Sequence, residues 1–283
     1  DFLERDLGLI VEFGAHTEDD DEAHSSPISS RVADIHDAFL APHVKAIFTV
    51  IGGFNSNQLL EAIDWDLIKN NPKIFCGYSD ITALSNAIFA KTGVVTYSGP
   101  HYSTFGQKYL SDYTVDYLKK CLFEEGAFSI TPSKEWTDDR WYKNQDLRTP
   151  IHNEGYWVLQ EGEATGRVIG GNLCTLNLLQ GTPFMPMLNE DGIFFLEDDG
   201  SVGSATFDRD LESLLQTETG KHIKGLVIGR FQNESEVTRD DLIRMIESKR
   251  QLVNIPVVAN VDFGHTDPMV TLPIGGSASL SVK

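Results

Sequence analysis

The chain of 283 residues is 41% hydrophobic, which is enough to build a substantial core in one large domain or two smaller ones. Its 23 basic and 42 acidic side chains leave a net charge of −19, which disfavours binding to nucleic-acid polymers and to anionic membranes. The three cysteines lack metal-ligand spacing and no run of about 18 apolar residues occurs, so we expect a reduced, cytoplasmic protein.

In chain order, the first 130 residues alternate predicted strands with predicted helices. The predicted strands cover residues 9–13, 45–51, 74–76 and 94–97. The predicted helices begin at Ser29 or Ser30, at Ser56, at Asp80 and near Tyr113. This βαβ alternation predicts an N-terminal α/β domain over residues 1–130, built on a parallel sheet of the flavodoxin or Rossmann type.

An acidic loop, residues 15–26, interrupts this alternation near its beginning. Its composition is typical of a solvated connection. A metal site formed by His16 and His24 is the alternative interpretation, although these two histidines lack an ordered ligand spacing.

Residues 131–163 are polar and aromatic and have no clear period, which indicates a long connection between domains. Its large aromatic side chains are Trp136, Trp141, Tyr142 and Trp157. Such side chains bury large areas, so they would pack onto a neighbouring domain. Alternatively, the segment is a lid and one of its tryptophans stacks on a flat group of a substrate.

Residues 164–283 predict a smaller C-terminal α/β domain, with the active site at the interface between the two domains. Strands are predicted at 167–169, 192–196, 223–229 and 255–261, and helices at 208–216 and 239–249. Asn172 follows the Gly170-Gly171 turn and precedes a short helix. Its side chain would either cap that helix or contact a substrate.

A serine, Ser79, lies on the predicted turn between the strand 74–76 and the helix that begins at Asp80. Unpaired backbone N–H groups and the positive end of the helix dipole meet at such a turn, so an oxyanion could be stabilised there. Gly77 permits the sharp bend. The simpler interpretation is that Ser79 only caps the helix.

Glu197 and His265 each follow an apolar strand, as Ser79 does. In a parallel sheet the carboxyl ends of the strands share one edge, so the three side chains could converge there as nucleophile, orienting carboxylate and base. Each also has a structural alternative, because Glu197 precedes two further acidic residues in what could be a solvated turn. His265 could be a structural histidine or pair with Asp267.

Two other classes of function remain open. The chain could be a noncatalytic protein that binds a small ligand, since fold alone does not determine function. It could also be a divalent-metal enzyme that uses Glu197, Asp198 and Asp199 as ligands.

Five sequence blocks resemble the serine peptidases of the LD-carboxypeptidase family, and within it the microcin C self-immunity peptidases. The blocks are Val50-Ile51-Gly52-Gly53, residues 71–84, Gly170-Gly171-Asn172-Leu173, Phe195-Leu196-Glu197-Asp198 and Gly264-His265-Thr266-Asp267-Pro268. The similarity extends from about residue 8 to about residue 277, so it covers nearly the whole chain.

The resemblance implies a catalytic triad of Ser79, Glu197 and His265, with an oxyanion hole formed by the backbone N–H groups of Gly53 and Asp80. It implies no metal or other cofactor, and a homodimer. It also implies a nucleotide-clamping tryptophan on the connection, and Trp136 or Trp141 would be its counterpart. Family members begin with one more strand and helix, so we expect an opening unit to be missing from this sequence.

The substrate implied by the resemblance is a small peptide or a peptidyl-nucleotide in which an amide links a C-terminal aspartate to a modified adenylate. The alternative within the family is a cell-wall (murein) tetrapeptide, trimmed at an L-to-D bond. The immunity peptidases carry a basic residue shortly after the triad glutamate, whereas Asp198-Asp199-Gly200-Ser201 follows here. A nucleotide phosphate would therefore lack that contact.

Overall fold

The computed structural model describes residues 2–20 and 25–283. The helices are α1 (Phe2–Leu7), α2 (Ile28–Leu40), α3 (Trp65–Asn70), α4 (Thr82–Thr92), α5 (Asp112–Leu122), α6 (Leu173–Asn177), α7 (Ser204–Leu215) and α8 (Arg239–Ser248). The strands are β1 (Ala46–Phe48), β2 (Ile74–Cys76), β3 (Thr96–Ser98), β4 (Glu135–Trp136), β5 (Ile151–His152), β6 (Trp157–Gln160), β7 (Gly162–Asn172), β8 (Gly192–Glu197), β9 (Ile223–Gly229), β10 (Val257–Val261), β11 (Leu272–Ile274) and β12 (Ser277–Val282).

Two main sheets organise the chain, which confirms the predicted α/β class. The first has the order β1-β2-β3-β11; β1, β2 and β3 are parallel, and β11 pairs antiparallel with β3. The second has the order β12-β7-β8-β9-β10-β6, with four parallel central strands and an antiparallel strand at each edge. One strand from the end of the chain thus completes the first sheet.

The helix that follows the Ser79–Ile81 turn, α4, lies between the two sheets. The side chain of Asn86 donates a hydrogen bond to the carbonyl of Gly170 over 2.8 Å, and the N–H of Asn172 donates to the hydroxyl of Thr82 over 3.0 Å. Leu84 and Ile88 on the same helix belong to the largest buried apolar cluster, which also includes side chains of β7 and β8. The helix therefore fixes the first sheet against the second.

The predicted strand at 9–13 is wrong, because this segment pairs with no neighbouring strand among the described residues. Ile10 is 91% exposed and Phe13 is 59% exposed. The helix predicted from Ser56 is also wrong in extent: a single 3₁₀ turn covers Ser56–Leu59, and the separate helix α3 follows with Asp64 as its N-cap. Here the local apolar spacing did not determine the element.

Several features of the chain bear on metals and membranes. His16 Nδ1 lies 2.7 Å from a carboxylate oxygen of Asp34, and His24 lies outside the described residues. Within residues 2–20 and 25–283, we find no group of three or more His, Cys, Asp or Glu that could hold a metal ion. No helix in that part of the chain is long and apolar enough to cross a bilayer.

Candidate active site

The turn that carries Ser79 begins where β2 ends. Ser79 has a φ of 61°, a left-handed conformation that is strained for a residue other than glycine and is typical of a nucleophile elbow. Ser79 does not cap α4, since the N-cap residue of that helix is Ile81 and Ser79 opens a separate 3₁₀ turn before it. Instead, Ser79 Oγ lies 3.0 Å from His265 Nε2, so the hydroxyl faces a base.

His265 is held from its other nitrogen by Glu197, the last residue of β8. The distance from His265 Nδ1 to Glu197 Oε2 is 2.7 Å, and the Glu197 side chain is 3% exposed. Gly264 allows this approach: it has a φ of 100°, and a Cβ on it would lie 2.5 Å from Glu197 Oε2. The carboxylate is thus a buried partner of the imidazole and not part of a solvated turn.

The charges around His265 favour its protonated form. Burial lowers the pKa of His265, but the attraction and hydrogen bond of Glu197 outweigh burial, and Asp199 and Asp198 add to them, so the net pKa is raised. A base that takes a proton from serine becomes an imidazolium, and Glu197 is placed to stabilise that charge.

Hydrogen bonds between Ser56 and Asp80 hold the loop after β1 against the Ser79–Ile81 turn. The Asp80 carboxylate accepts a hydrogen bond from the N–H of Ser56 over 2.9 Å, and the hydroxyl of Ser56 donates to the carbonyl of Asp80 over 2.6 Å. In the described part of the chain, no acceptor engages the backbone N–H of Gly53 or of Asp80. Both N–H groups are therefore free to meet a ligand.

Asn172 caps α6, as one of its two predicted roles requires. Its Oδ1 accepts from the N–H of Thr175 over 3.1 Å, and its Nδ2 donates to a carboxylate oxygen of Asp198 over 3.0 Å. Burial and, next, the charge of Glu197 raise the pKa of Asp198 to about 7. Asn172 therefore holds the carboxyl group of Asp198, the residue that directly follows Glu197.

The aromatic side chains of the connection divide into three settings. Trp136 lies over the guanidinium of Arg230, 5.1 Å from ring centroid to carbon, and it borders two cavities of about 470 and 460 Å³. Trp141 contacts Tyr142 edge to face at 6.0 Å and lines neither of these cavities. Trp157 lies in β6 and packs against the larger core, which is the structural role considered for these residues, and it also borders the cavity of about 470 Å³.

Sequence reasoning missed a buried ion pair behind the site. Arg230 Nη1 donates to Asp262 over 2.7 Å, and the two side chains are 2% and 0% exposed. The same carboxylate accepts hydrogen bonds from the N–H and the hydroxyl of Ser133, which ties the connection to the second sheet. Asp262 directly follows an apolar strand, as Glu197 ends one, and that shared position was the signal available in the sequence.

Sequence reasoning also missed one histidine near Ser79 and His265. His101, after β3, is buried beside Tyr78, and nothing in the local sequence distinguishes it from a surface histidine. Asp267, considered as a partner of His265, instead lies 3.3 Å from Arg148 of the connection. Cys76 is buried within β2, and burial raises the pKa of its thiol.

Comparison with protein families gives two matches. A family described as the LD-carboxypeptidase N-terminal domain matches residues 1–99, and the LD-carboxypeptidase C-terminal domain matches residues 165–280. Among curated proteins, the putative carboxypeptidase YocD of Bacillus subtilis is 52% identical over 278 residues, which cover 98% of this chain and 85% of that protein.

Two further relatives differ in the function that their names state. The microcin C7 self-immunity protein MccF of Escherichia coli is 33% identical over 287 residues, which cover 97% of this chain and 82% of that protein. A probable murein peptide carboxypeptidase of Bacillus subtilis is 31% identical over 284 residues, which cover 99% and 82% of the two chains.

Solved structures agree with the fold. A MccF-like protein from Bacillus anthracis superposes with a TM-score of 0.95 at 54% identity, covering 98% of this chain and 85% of that one. MccF in complex with aspartyl sulfamoyl adenosine superposes with a TM-score of 0.83 at 33% identity, covering 95% and 82%.

Proposed function

The chain belongs to the LD-carboxypeptidase family of serine peptidases, and from this premise we propose that Ser79, His265 and Glu197 hydrolyse an amide bond of a small peptide or peptidyl-nucleotide. The observation that carries the proposal is the line of hydrogen bonds from Ser79 Oγ to His265 Nε2 at 3.0 Å and from His265 Nδ1 to Glu197 Oε2 at 2.7 Å.

In this mechanism His265 removes the proton of Ser79 while Oγ attacks the amide carbonyl. The developing oxyanion accepts hydrogen bonds from the N–H groups of Gly53 and Asp80, which have no acceptor in the described structure. His265 then gives its proton to the leaving amine. Water, activated by the same imidazole, hydrolyses the acyl-enzyme and restores the serine.

Two substrates follow from the relatives. Three of the MccF structures that resemble this chain hold glutamyl sulfamoyl guanosine, aspartyl sulfamoyl adenosine or adenosine monophosphate, which favours an immunity-like reaction on an aspartyl-adenylate amide. In such a reaction Trp136 or Trp141 would stack on the adenine base of the substrate, and Asn172 would also contact the substrate. Of the two tryptophans, only Trp136 borders these cavities, and neither cavity is lined by Ser79, Glu197 or His265.

The second candidate, trimming of a murein tetrapeptide, is favoured by the segment after Glu197. Asp199 accepts hydrogen bonds from the N–H and the hydroxyl of Ser201, and the N–H of Gly200 is taken by Gln232, so this turn offers no cation to a phosphate. A substrate without a phosphate does not need that cation.

The deciding experiment incubates the purified protein with an aspartyl-adenylate amide and, separately, with an L,D-tetrapeptide, and identifies the products by mass spectrometry. Ser79→Ala is the matched control: it should fold normally and lose at least about 10³-fold in turnover. Turnover of a true substrate by Ser79→Ala at close to the wild-type rate would exclude the serine mechanism.

The metal-enzyme alternative is weakened by the contacts of its would-be ligands. Glu197 is engaged by His265, and Asp198 accepts from Asn172 and from the N–H of Cys174. Turnover should therefore be unchanged by a chelator such as EDTA, and loss of activity that added zinc or magnesium restores would support the metal enzyme. We also propose a cytoplasmic homodimer, which light scattering of the purified protein and cell fractionation would test.

A further inference from the structure

A second histidine, His101, lies close to His265, with the ring of Tyr78 between them. His101 follows β3, is 3% exposed, and has its Nδ1 2.9 Å from the hydroxyl of Thr49 at the end of β1. Burial, and next the proximity of His265, lower the pKa of His101 to about 3. Its imidazole is therefore uncharged near neutral pH.

Tyr78 separates the two histidines. Its ring stacks on His101 with 4.2 Å between centroids and 26° between planes, and it meets His265 edge to face at 5.3 Å and 63°. Burial raises the pKa of Tyr78, so the phenol stays neutral as well. A row of contacts thus runs from Thr49 through His101 and Tyr78 to the base.

The same histidine borders the space around the nucleophile. A Cβ placed on Gly52 would lie 3.1 Å from Ser79 Oγ and 3.5 Å from His101 Nε2. The two side chains therefore face one small volume that Gly52 leaves open. A shift of the His101 ring toward that volume would release Tyr78 and crowd the serine.

We propose that His101 is a positioning residue: its ring holds Tyr78 against His265 and so keeps the imidazole aimed at Ser79. A catalytic constellation works only when its groups are held close to the productive geometry by packed neighbours. The inference rests on the proposed function of Ser79 and His265. It assigns the stacked face of His101, and not its nitrogens, as the part that acts.

The test compares His101→Ala with His101→Phe, which keeps an aromatic face on Tyr78 and removes both nitrogens. Loss of one aromatic contact corresponds to about a ten-fold effect on a rate. We therefore expect His101→Ala to lower kcat about ten-fold with KM within two-fold of wild type, and His101→Phe to restore kcat to within about three-fold of wild type. Labelling of the serine by a fluorophosphonate should slow and recover in parallel.

The outcomes separate the inference from the function on which it rests. If wild type neither cleaves either substrate nor reacts with the probe, or if Ser79→Ala reacts as fast as wild type, the serine mechanism fails. If wild type is active and His101→Ala equals it, the positioning role is refuted. The role is also refuted if His101→Phe is as slow as His101→Ala, since the nitrogens would then be what matters. Should His101→Ala not fold, Tyr78→Leu and Tyr78→Phe give the same contrast.

Discussion

Removal of Asp262 should destabilise the protein more than any change at its surface. The carboxylate is fully buried, lies 2.7 Å from Arg230, and also accepts hydrogen bonds from Ser133 and from the hydroxyls of Tyr113 and Tyr156. Asp262→Ala leaves the guanidinium without its counter-charge, which costs about 3–5 kcal/mol in a buried pair. The hydrogen-bond donors left without an acceptor add about 1–3 kcal/mol, so we expect a loss of at least about 4 kcal/mol.

The measurement is urea unfolding followed by tryptophan fluorescence, with the free energy of unfolding obtained by linear extrapolation. The matched control is Glu234→Ala, which breaks the ion pair with Arg140 whose side chains are 65% and 53% exposed and which should cost less than about 1 kcal/mol. The double variant Arg230→Met with Asp262→Leu should lose less than Asp262→Ala alone, because no unpaired charge stays buried. Equal losses for Asp262→Ala and Glu234→Ala would refute the reasoning.

Three further outcomes are expected. Gly52→Ala places a Cβ 3.1 Å from Ser79 Oγ and should lower kcat about 10²-fold. The control is Gly106→Ala, whose Cβ has no heavy atom within 4 Å and which should leave kcat unchanged. Equal values of kcat for the two variants would contradict the argument that Gly52 keeps space open beside Ser79. Glu197→Gln should lower kcat by about 10³- to 10⁴-fold. Because Glu197 raises the pKa of His265 and the base must be unprotonated, the acidic limb of the kcat/KM profile should also move to lower pH, and an unmoved limb would argue against this coupling. The pKa of Asp198 rises to about 7 in the folded protein from 3.8, so its protonated form stabilises the fold at low pH and that contribution disappears as pH rises through 7. Asp198→Asn should therefore show a smaller decline of the unfolding free energy between about pH 4 and pH 7, and a parallel decline in both proteins would disprove the assignment.

The elements predicted best from the sequence are buried strands that appear as short apolar runs. The bounds 74–76 and 223–229 match β2 and β9, because both are interior strands of their sheets and their sequences are apolar except at the exposed Lys224. Leu9–Phe13 has the same local appearance but no neighbouring strand to pair with, and pairing is not local information. β11 was missed because Pro273 disfavours a strand and its partner, β3, lies far away in the chain.

The site was accessible for a related reason. Ser79, Glu197 and His265 were selected because each follows a strand, and the structure brings their side chains into one line of hydrogen bonds. His101 also follows a strand, but a single histidine after Gly-Pro carries no pattern. Its relation to the base depends on how one ring stacks on another, which becomes visible only when the chain is folded.

The return of β11 to the first sheet limits how this protein can be divided or recombined. His265 follows β10 of the second sheet, yet within ten residues the chain crosses over, pairs with β3, and then turns back at Gly275 to hydrogen-bond with Val168 of β7. A chimera that exchanges residues 164–283 between relatives would therefore also exchange β11, which is a strand of the first sheet. A chimera that folds should therefore take Leu272–Ile274 from the same parent as Thr96–Ser98. The segments that have to be exchanged together are not contiguous in the gene.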